Sequence, residues 1–187
     1  MHVLAVSGSL RDQSYNSALA RAAAELAPDG VYVELFERLG EIPHYDADIG
    51  IDGEDAPDAV RELRERVAAA GALFFVTPEY NGSMSGVLKN AIDWASRPPG
   101  GGAALWGKTA AVAGATTGQY GAIWAQQDLR RVLGIAGARV IEGELPVSRA
   151  QNVFDEAGRL RDPLLAERLR LHLENLVHEA AAMPVAA

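Results

Sequence analysis

The chain has 187 residues, of which 49% are hydrophobic and 22% are charged, so it is long enough for one α/β domain with a full core. Its formal net charge of −8, with no basic stripe to offset it, argues against a nucleic-acid-binding surface. Because the chain contains no cysteine, disulfides, thiolate metal sites and cysteine nucleophiles are excluded.

The chain enters a strand-like apolar segment at residue 2, without a cationic leader before it. No stretch reaches the roughly 18 apolar residues that a membrane span requires. The sequence therefore predicts a cytoplasmic protein that binds neither nucleic acid nor membrane. It also predicts a single domain, residues 1–187, because no shift in composition marks a boundary.

Strand-like and helix-like patterns alternate along the chain. Short apolar runs predict strands at residues 2–7, 31–36, 72–77, 109–114 and 138–141. Apolar residues at helical spacing predict helices at about residues 14–27, 60–70, 84–96, 129–136 and 162–181. This alternation predicts a doubly wound five-stranded parallel sheet of order 2-1-3-4-5, with helices on both faces.

The first loop, residues 7–16, joins the first strand to the first helix and is rich in hydrogen-bond donors. It contains the hydroxyls of Ser9 and Ser14, the amide of Asn16 and the cation of Arg11. A helix N-terminus with these donors suits a phosphate group. The alternative is a simple N-cap at Ser14 or Ser17. The loop has one glycine, so it is neither a Walker loop nor a G-x-G-x-x-G fingerprint.

Two further loops follow strands that the predicted order places beside the first. The second loop, residues 78–83, combines proline, tyrosine and asparagine, which suits a flat ligand rich in heteroatoms. The third loop, residues 115–121, is small and polar. The loops at the opposite edge of the sheet are minimal turns. We therefore expect a single site at the carboxyl ends of strands one, three and four.

Two of these loops resemble motifs of the NAD(P)H-dependent FMN reductase family. Residues 8–16 match its G-S-x-R-x-x-S-x-N loop, and residues 78–83 match the start of its second motif, which continues at Gly86, Leu88, Lys89, Asn90, Asp93 and Trp94. The similarity extends over nearly the whole chain. It implies a flavodoxin-like fold and an FMN cofactor.

The resemblance implies that the first loop holds the phosphate and that the other two loops line the isoalloxazine ring. The cofactor-binding residues that it implies are Ser9, Arg11, Ser14, Tyr15, Asn16, Pro78, Glu79, Tyr80, Asn81, Gly82, Ala115, Thr116, Thr117 and Gly118. NADPH or NADH would donate hydride to N5 of the flavin, and no side chain is expected to be catalytic. The acceptors would be quinones, flavins, azo compounds or chromate.

The same resemblance implies a homodimer or homotetramer. The apolar residues Leu39, Ile42, Tyr45 and Ile49, in the segment 37–50, are expected to offer surface for a second subunit.

Three alternatives remain open from the sequence. In the first, the protein is a non-enzymatic FMN electron carrier of the flavodoxin type. In the second, it is a sensory domain that binds flavin without turnover. Alternatively, His44, Asp46 and Asp48 hold a metal, although their spacing matches no standard ligand pattern.

Overall fold

The computed structural model describes residues 1–51 and 55–182. Its strands are β1 (His2–Ser7), β2 (Tyr32–Phe36), β3 (Ala72–Val76), β4 (Thr109–Ala115), β5 (Arg139–Val140) and β6 (Leu145–Val147). Its helices are α1 (Tyr15–Glu25), α2 (Asp58–Ala69), α3 (Gly86–Ala95), α4 (Ile123–Ile135) and α5 (Pro163–Ala182). The predicted domain of residues 1–187 includes residues 52–54 and 183–187, which lie outside the described ranges.

The strands form one parallel sheet. Its order is β2-β1-β3-β4-β5, with β6 pairing β4 beyond β5. The predicted doubly wound fold and its strand order are therefore confirmed. Among the described helices, none combines the length and the hydrophobicity needed to cross a membrane.

The edge of the sheet differs from the prediction of five strands. The predicted fifth strand, residues 138–141, is reduced to the two residues of β5, and a sixth strand, β6, continues along β4. Gly143 interrupts the two with a left-handed backbone conformation (φ +85°). A three-residue strand with Pro146 at its centre carries little strand signal, because proline has no N–H to donate and is confined to edges.

Each face of the sheet is covered by its own hydrophobic cluster. Phe74 points to the face that carries α1 and α5, whereas Leu73 and Phe75 point to the face that carries α2, α3 and α4. All five residues of β3 are buried, as expected for a central strand of a doubly wound sheet. Trp94, which ends the second motif, is fully buried in the second cluster and is a core residue.

The segment 37–50 packs against its own domain. The expectation that its apolar residues offer surface for a second subunit was therefore wrong in part. Leu39 and Ile42 are buried in the cluster beneath α2 and α3. The Asn90 side chain on α3 accepts the N–H of Tyr45 at 2.7 Å and donates to the Pro43 carbonyl at 2.8 Å. The buried apolar side chains hold this long connection against the domain, and the amide bonds fix its course.

His172 is a buried histidine on α5. Its Nε2 lies 3.0 Å from the Val112 carbonyl oxygen, and its ring meets Phe74 edge-on. Desolvation by burial lowers the pKa of His172, because the cation is poorly solvated there. The neutral ring, donating from Nε2, is the form that fits this site.

This histidine predicts a pH dependence of stability. Unfolding returns His172 to its ordinary pKa of about 6.5. Below that pH the unfolded chain binds a proton at this histidine that the folded chain does not bind. The free energy of unfolding therefore falls as the pH drops below about 6.5. We expect His172→Gln to reduce the difference in unfolding free energy between about pH 7.5 and about pH 5.5, measured by urea denaturation. The exposed His178→Gln on the same helix is the control. A His172→Gln protein with the full wild-type pH dependence would contradict the assignment.

Candidate functional site

Hydrogen bonds bring the three polar loops together at the carboxyl end of the sheet. The Gly8 N–H donates to the Val76 carbonyl at 2.7 Å, and Ser85 Oγ donates to the Gly8 carbonyl at 2.6 Å. The first loop is thereby joined to the end of β3 and the start of α3. Asn16 joins it to Ala115 at the end of β4. The predicted convergence of the loops after β1, β3 and β4 is present.

The first loop ends in a capped helix with an exposed cation nearby. Ser14 Oγ accepts the N–H groups of Asn16 and Ser17 at 3.2 and 3.4 Å, so the N-cap reading is correct for this hydroxyl. Its hydroxyl hydrogen is not used in these two bonds, and the residue is only 3% exposed. Ser9 Oγ lies 3.5 Å from the backbone nitrogen of Arg11, and Tyr15 is half-buried against Phe154.

Arg11 itself is exposed. In the described parts of the chain no carboxylate pairs with its guanidinium. Most other arginines described here hold an acidic partner or a backbone carbonyl. An unpaired guanidinium beside the free N–H groups of a helix start is a suitable place for an anion.

Asn16, predicted as a phosphate contact, uses its side chain for hydrogen bonds within the chain. Its side chain is only 4% exposed, and the amide makes two hydrogen bonds to one residue. Nδ2 donates to the Ala115 carbonyl at 3.0 Å, and Oδ1 accepts the Ala115 N–H at 2.8 Å. The amide thus pairs with the backbone of Ala115 at the end of β4, as a neighbouring strand would. Although the two residues are 99 positions apart in sequence, this pairing ties the first loop to the third.

The second loop is a two-residue hairpin. Tyr80 and Ser83 exchange backbone hydrogen bonds at 3.0 and 3.1 Å. Asn81 (φ +53°) and Gly82 (φ +75°) occupy the left-handed region between them, as a type I′ turn requires. The turn explains why Asn-Gly stands here. It presents Tyr80 to solvent, with 52% of that residue exposed, after the buried Pro78.

The second loop also contacts the start of α4. Glu79 Oε2 accepts the backbone N–H of Ala125 at 3.2 Å, where a helix N-terminus favours negative charge. Ser83 Oγ donates to Asp128 Oδ2 at 2.5 Å. This hydrogen bond, together with Arg131, lowers the pKa of Asp128. The loop is therefore held at both ends.

The third loop depends on the strand that the sequence did not predict. Thr116 donates its N–H to Val147 on β6, and it accepts the N–H of Ala150. Buried Gln126 donates to the Gly121 carbonyl at 2.9 Å and accepts the Leu145 N–H at 3.0 Å. Thr117 and Gly118 are left exposed at the tip of the loop. Gln126 and Ser85 are positioning residues that the sequence pattern did not single out.

Gly8 is required where the first and second loops meet. A Cβ at this position would lie 2.8 Å from Ser85 Oγ and 3.1 Å from the Leu88 side chain. We expect Gly8→Ala to destabilise the fold by about 1–3 kcal/mol and to weaken ligand binding, as measured by urea denaturation and ligand titration. Gly86→Ala is the matched control for the unfolding measurement, since a Cβ there meets nothing within 4 Å. Equal effects of the two substitutions would contradict this account.

In the described ranges, no three histidine, aspartate, glutamate or cysteine side chains are grouped as a metal site would require. The His44, Asp46 and Asp48 group suggested by the sequence is accordingly not among the candidate sites of these ranges.

The comparison with known proteins agrees with the geometry. The family model described as NADPH-dependent FMN reductase matches residues 1–152. An NAD(P)H-dependent FMN reductase from Pseudomonas aeruginosa is 47% identical over 93% of this chain and 92% of its own. A quinone reductase from Pseudomonas putida is 39% identical over 86% of this chain and 84% of its own.

A solved structure is similar over the full architecture. A flavoenzyme NAD(P)H:(acceptor) oxidoreductase from Paracoccus denitrificans superimposes with a TM-score of 0.86 and 33% identity, covering 97% of this chain and 98% of that chain. The family match spans residues 1–152, which include the three loops described above. The chain therefore belongs to the NADPH-dependent FMN reductase family.

Proposed function

We propose that this protein is an FMN-dependent oxidoreductase that passes electrons from NADPH or NADH to small acceptors. Quinones are the first class of acceptor to test, with free flavins, azo compounds and chromate next. The observation that carries the proposal is the convergence of the three loops around an exposed cation and an exposed aromatic ring, Arg11 and Tyr80. The family membership supports the same assignment.

The first loop suits the phosphate end of FMN. The phosphate oxygens need a cation and several donors, and this loop provides the Arg11 guanidinium, the Ser9 and Ser14 hydroxyls and the start of α1. Asn16 would act on this end through the backbone that it holds, since its amide is occupied by Ala115.

The second and third loops suit the isoalloxazine end. Tyr80 and the Asn81-Gly82 turn are exposed in the second loop, and Thr117 and Gly118 are exposed in the third. Backbone groups at both tips are able to meet the heteroatoms of the ring. Glu79 is a positioning residue in this arrangement, because its carboxylate fixes the loop against α4.

When bound, FMN supplies the redox chemistry, accepting hydride from the nicotinamide at N5 and passing electrons to the acceptor. The residues of this chain bind the phosphate, orient the ring and leave a face open to the nicotinamide and the acceptor in turn. We assign no side-chain acid or base to the hydride step.

Turnover by the purified protein alone distinguishes the enzyme from the two alternatives. We expect rapid NADPH oxidation that depends on added quinone and shows ping-pong kinetics, because both substrates use the same open face. A protein that binds FMN but transfers electrons only to a protein partner would be a carrier. Bound FMN that no nicotinamide reduces would identify a sensory domain.

We also propose a cytoplasmic homodimer or homotetramer. Trp106 and Ile135, which are 49% and 75% exposed, border a hollow between α3 and α4 and offer apolar surface to a second copy. Light scattering after size exclusion is the direct test. A monomer at micromolar concentration would contradict this part of the proposal.

A further inference from the structure

A hollow of about 360 Å³ lies between the first loop, the segment 42–44 and the start of α3. Its lining is mainly apolar, and it includes the side chains of Leu10, Ile42, His44, Tyr80 and Val87. The volume and the apolar walls are those of a pocket for a small ring. Its lining residues include Gly8 and Leu10 of the first loop, but not Ser9, Arg11 or Ser14.

The hollow opens beside the place proposed for the isoalloxazine ring, and the inference drawn from it rests on the proposed function. Tyr80 belongs both to the second loop and to the lining of the hollow. Gly8 and Ser85, whose hydrogen bond joins the first loop to α3, are also among the lining residues. A molecule in the hollow would therefore be next to a flavin held by the second and third loops.

His44 lines this hollow, and the backbone of its two neighbours is held in place. The Pro43 carbonyl accepts hydrogen bonds from Asn90 Nδ2 and Trp94 Nε1, both at 2.8 Å. The Tyr45 N–H donates to Asn90 Oδ1, and the Tyr45 ring packs edge-on against Trp94. The backbone on both sides of His44 is thus held, and the imidazole is an exposed side chain in the lining of the hollow.

The other polar side chains of the lining are mostly occupied. Asn90 is bonded to Pro43 and Tyr45, and Ser85 donates to Gly8. In the described part of the lining, the His44 imidazole and the Tyr80 hydroxyl have no hydrogen-bond partner within the chain. Both are able to donate a hydrogen bond, so the hollow combines apolar walls with donors.

We propose that this hollow binds the ring of a quinone acceptor, and that His44 donates a hydrogen bond to a quinone carbonyl oxygen. A quinone has apolar ring edges and two carbonyl acceptors, which match the walls and the donor. An azo dye with sulfonates or a chromate anion would leave the walls of Leu10, Ile42 and Val87 without contacts. His44 is accordingly a specificity-determining residue for the acceptor.

The test compares His44→Leu with His178→Leu, whose histidine is exposed on α5. We expect His44→Leu to raise the KM for 1,4-naphthoquinone by about threefold to tenfold, the loss expected for one hydrogen bond. The NADPH concentration that half-saturates anaerobic flavin bleaching should change by less than about twofold. His178→Leu should change neither quantity.

A second measurement reads binding without turnover. The redox-inert ketone 1-tetralone is titrated into the oxidised FMN-loaded protein, and the flavin absorbance change reports its Kd. We expect His44→Leu to weaken 1-tetralone binding by the same factor. Leu10→Ser should weaken it as well, whereas Leu164→Ser, another exposed leucine on α5, should not.

Three results would overturn this assignment. An unchanged KM and Kd in His44→Leu would mean that the histidine does not meet the acceptor. Loss of FMN from the variant would mean that the hollow belongs to the flavin. A shift to a smaller oligomer would mean that a second copy of the chain covers the hollow. A wild-type protein that binds no FMN would instead overturn the proposed function itself.

Discussion

Replacing Arg11 with alanine is expected to weaken FMN binding by about tenfold to a hundredfold. A charge-assisted hydrogen bond to an anion contributes about 1.5–3 kcal/mol, and Arg11 is an exposed cation beside the capped start of α1 without a carboxylate partner in the described ranges. The measurement is fluorescence titration of the apoprotein with FMN. Arg11→Lys should recover only part of the affinity, since lysine keeps the charge and loses the bidentate geometry.

Arg168→Ala is the control for this experiment, because Arg168 is exposed on α5 and lies far along the chain from the first loop. It should leave the FMN affinity unchanged. The loss of affinity in Arg11→Ala should be greater for FMN than for riboflavin, which has no phosphate. Equal losses for the two flavins would show that Arg11 acts on something other than the phosphate.

Replacing Asn16 with alanine is expected to lower both the thermal stability of the fold and the affinity for FMN. The substitution leaves the N–H and carbonyl of Ala115 buried without their partners, at a cost of about 2–4 kcal/mol. For a chain of this size that corresponds to a fall in Tm of roughly 5–15 °C. The affinity should fall because the first and third loops lose the bond that holds them together.

Asn175→Ala, an exposed asparagine on α5, is the matched control and should change Tm little. Asn16→Asp is the more specific variant, because its carboxylate can still accept the Ala115 N–H but opposes the Ala115 carbonyl with a second oxygen. It should therefore be destabilised as well. If Asn16→Ala lost FMN affinity at unchanged Tm, a direct contact with the phosphate would be the better explanation.

The fold was largely predictable because its central strands are buried on both faces. Ala72–Val76 reads as an uninterrupted apolar run, and the helices that cover the sheet show clear apolar stripes. The edge was not predictable, because β5 and β6 are two and three residues long and one contains proline. Pairing with β4, rather than local sequence, determines where these strands form.

The site was predictable as a set of loops and less so as a set of contacts. The order of the strands places residues 7–16, 78–83 and 115–121 together whatever their side chains do. Asn16 shows the limit: a motif position rich in hydrogen-bonding groups reads as a ligand contact, and only the fold reveals that Ala115 occupies its amide. The apolar residues Leu39 and Ile42 show the same limit, since exposure is decided by packing against α2 and α3.

The histidine in the hollow illustrates what the fold adds to the sequence. His44 stands in an acidic connecting segment, where the sequence suggested a metal ligand. The hydrogen bonds of Asn90 and Trp94 to the flanking backbone turn that segment into the wall of an apolar hollow. In the proposed arrangement, the acceptor and the flavin would both contact the second loop through Tyr80, and this would place them close enough for electron transfer.

The absorbance spectrum of the purified protein, followed by anaerobic titration with NADPH, tests the central claim most directly. We predict that the protein binds FMN, as purified or after addition, and that about one equivalent of NADPH bleaches the flavin bands. Subsequent addition of 1,4-naphthoquinone should restore them. A protein that neither carries FMN nor binds it when added would contradict the proposed function.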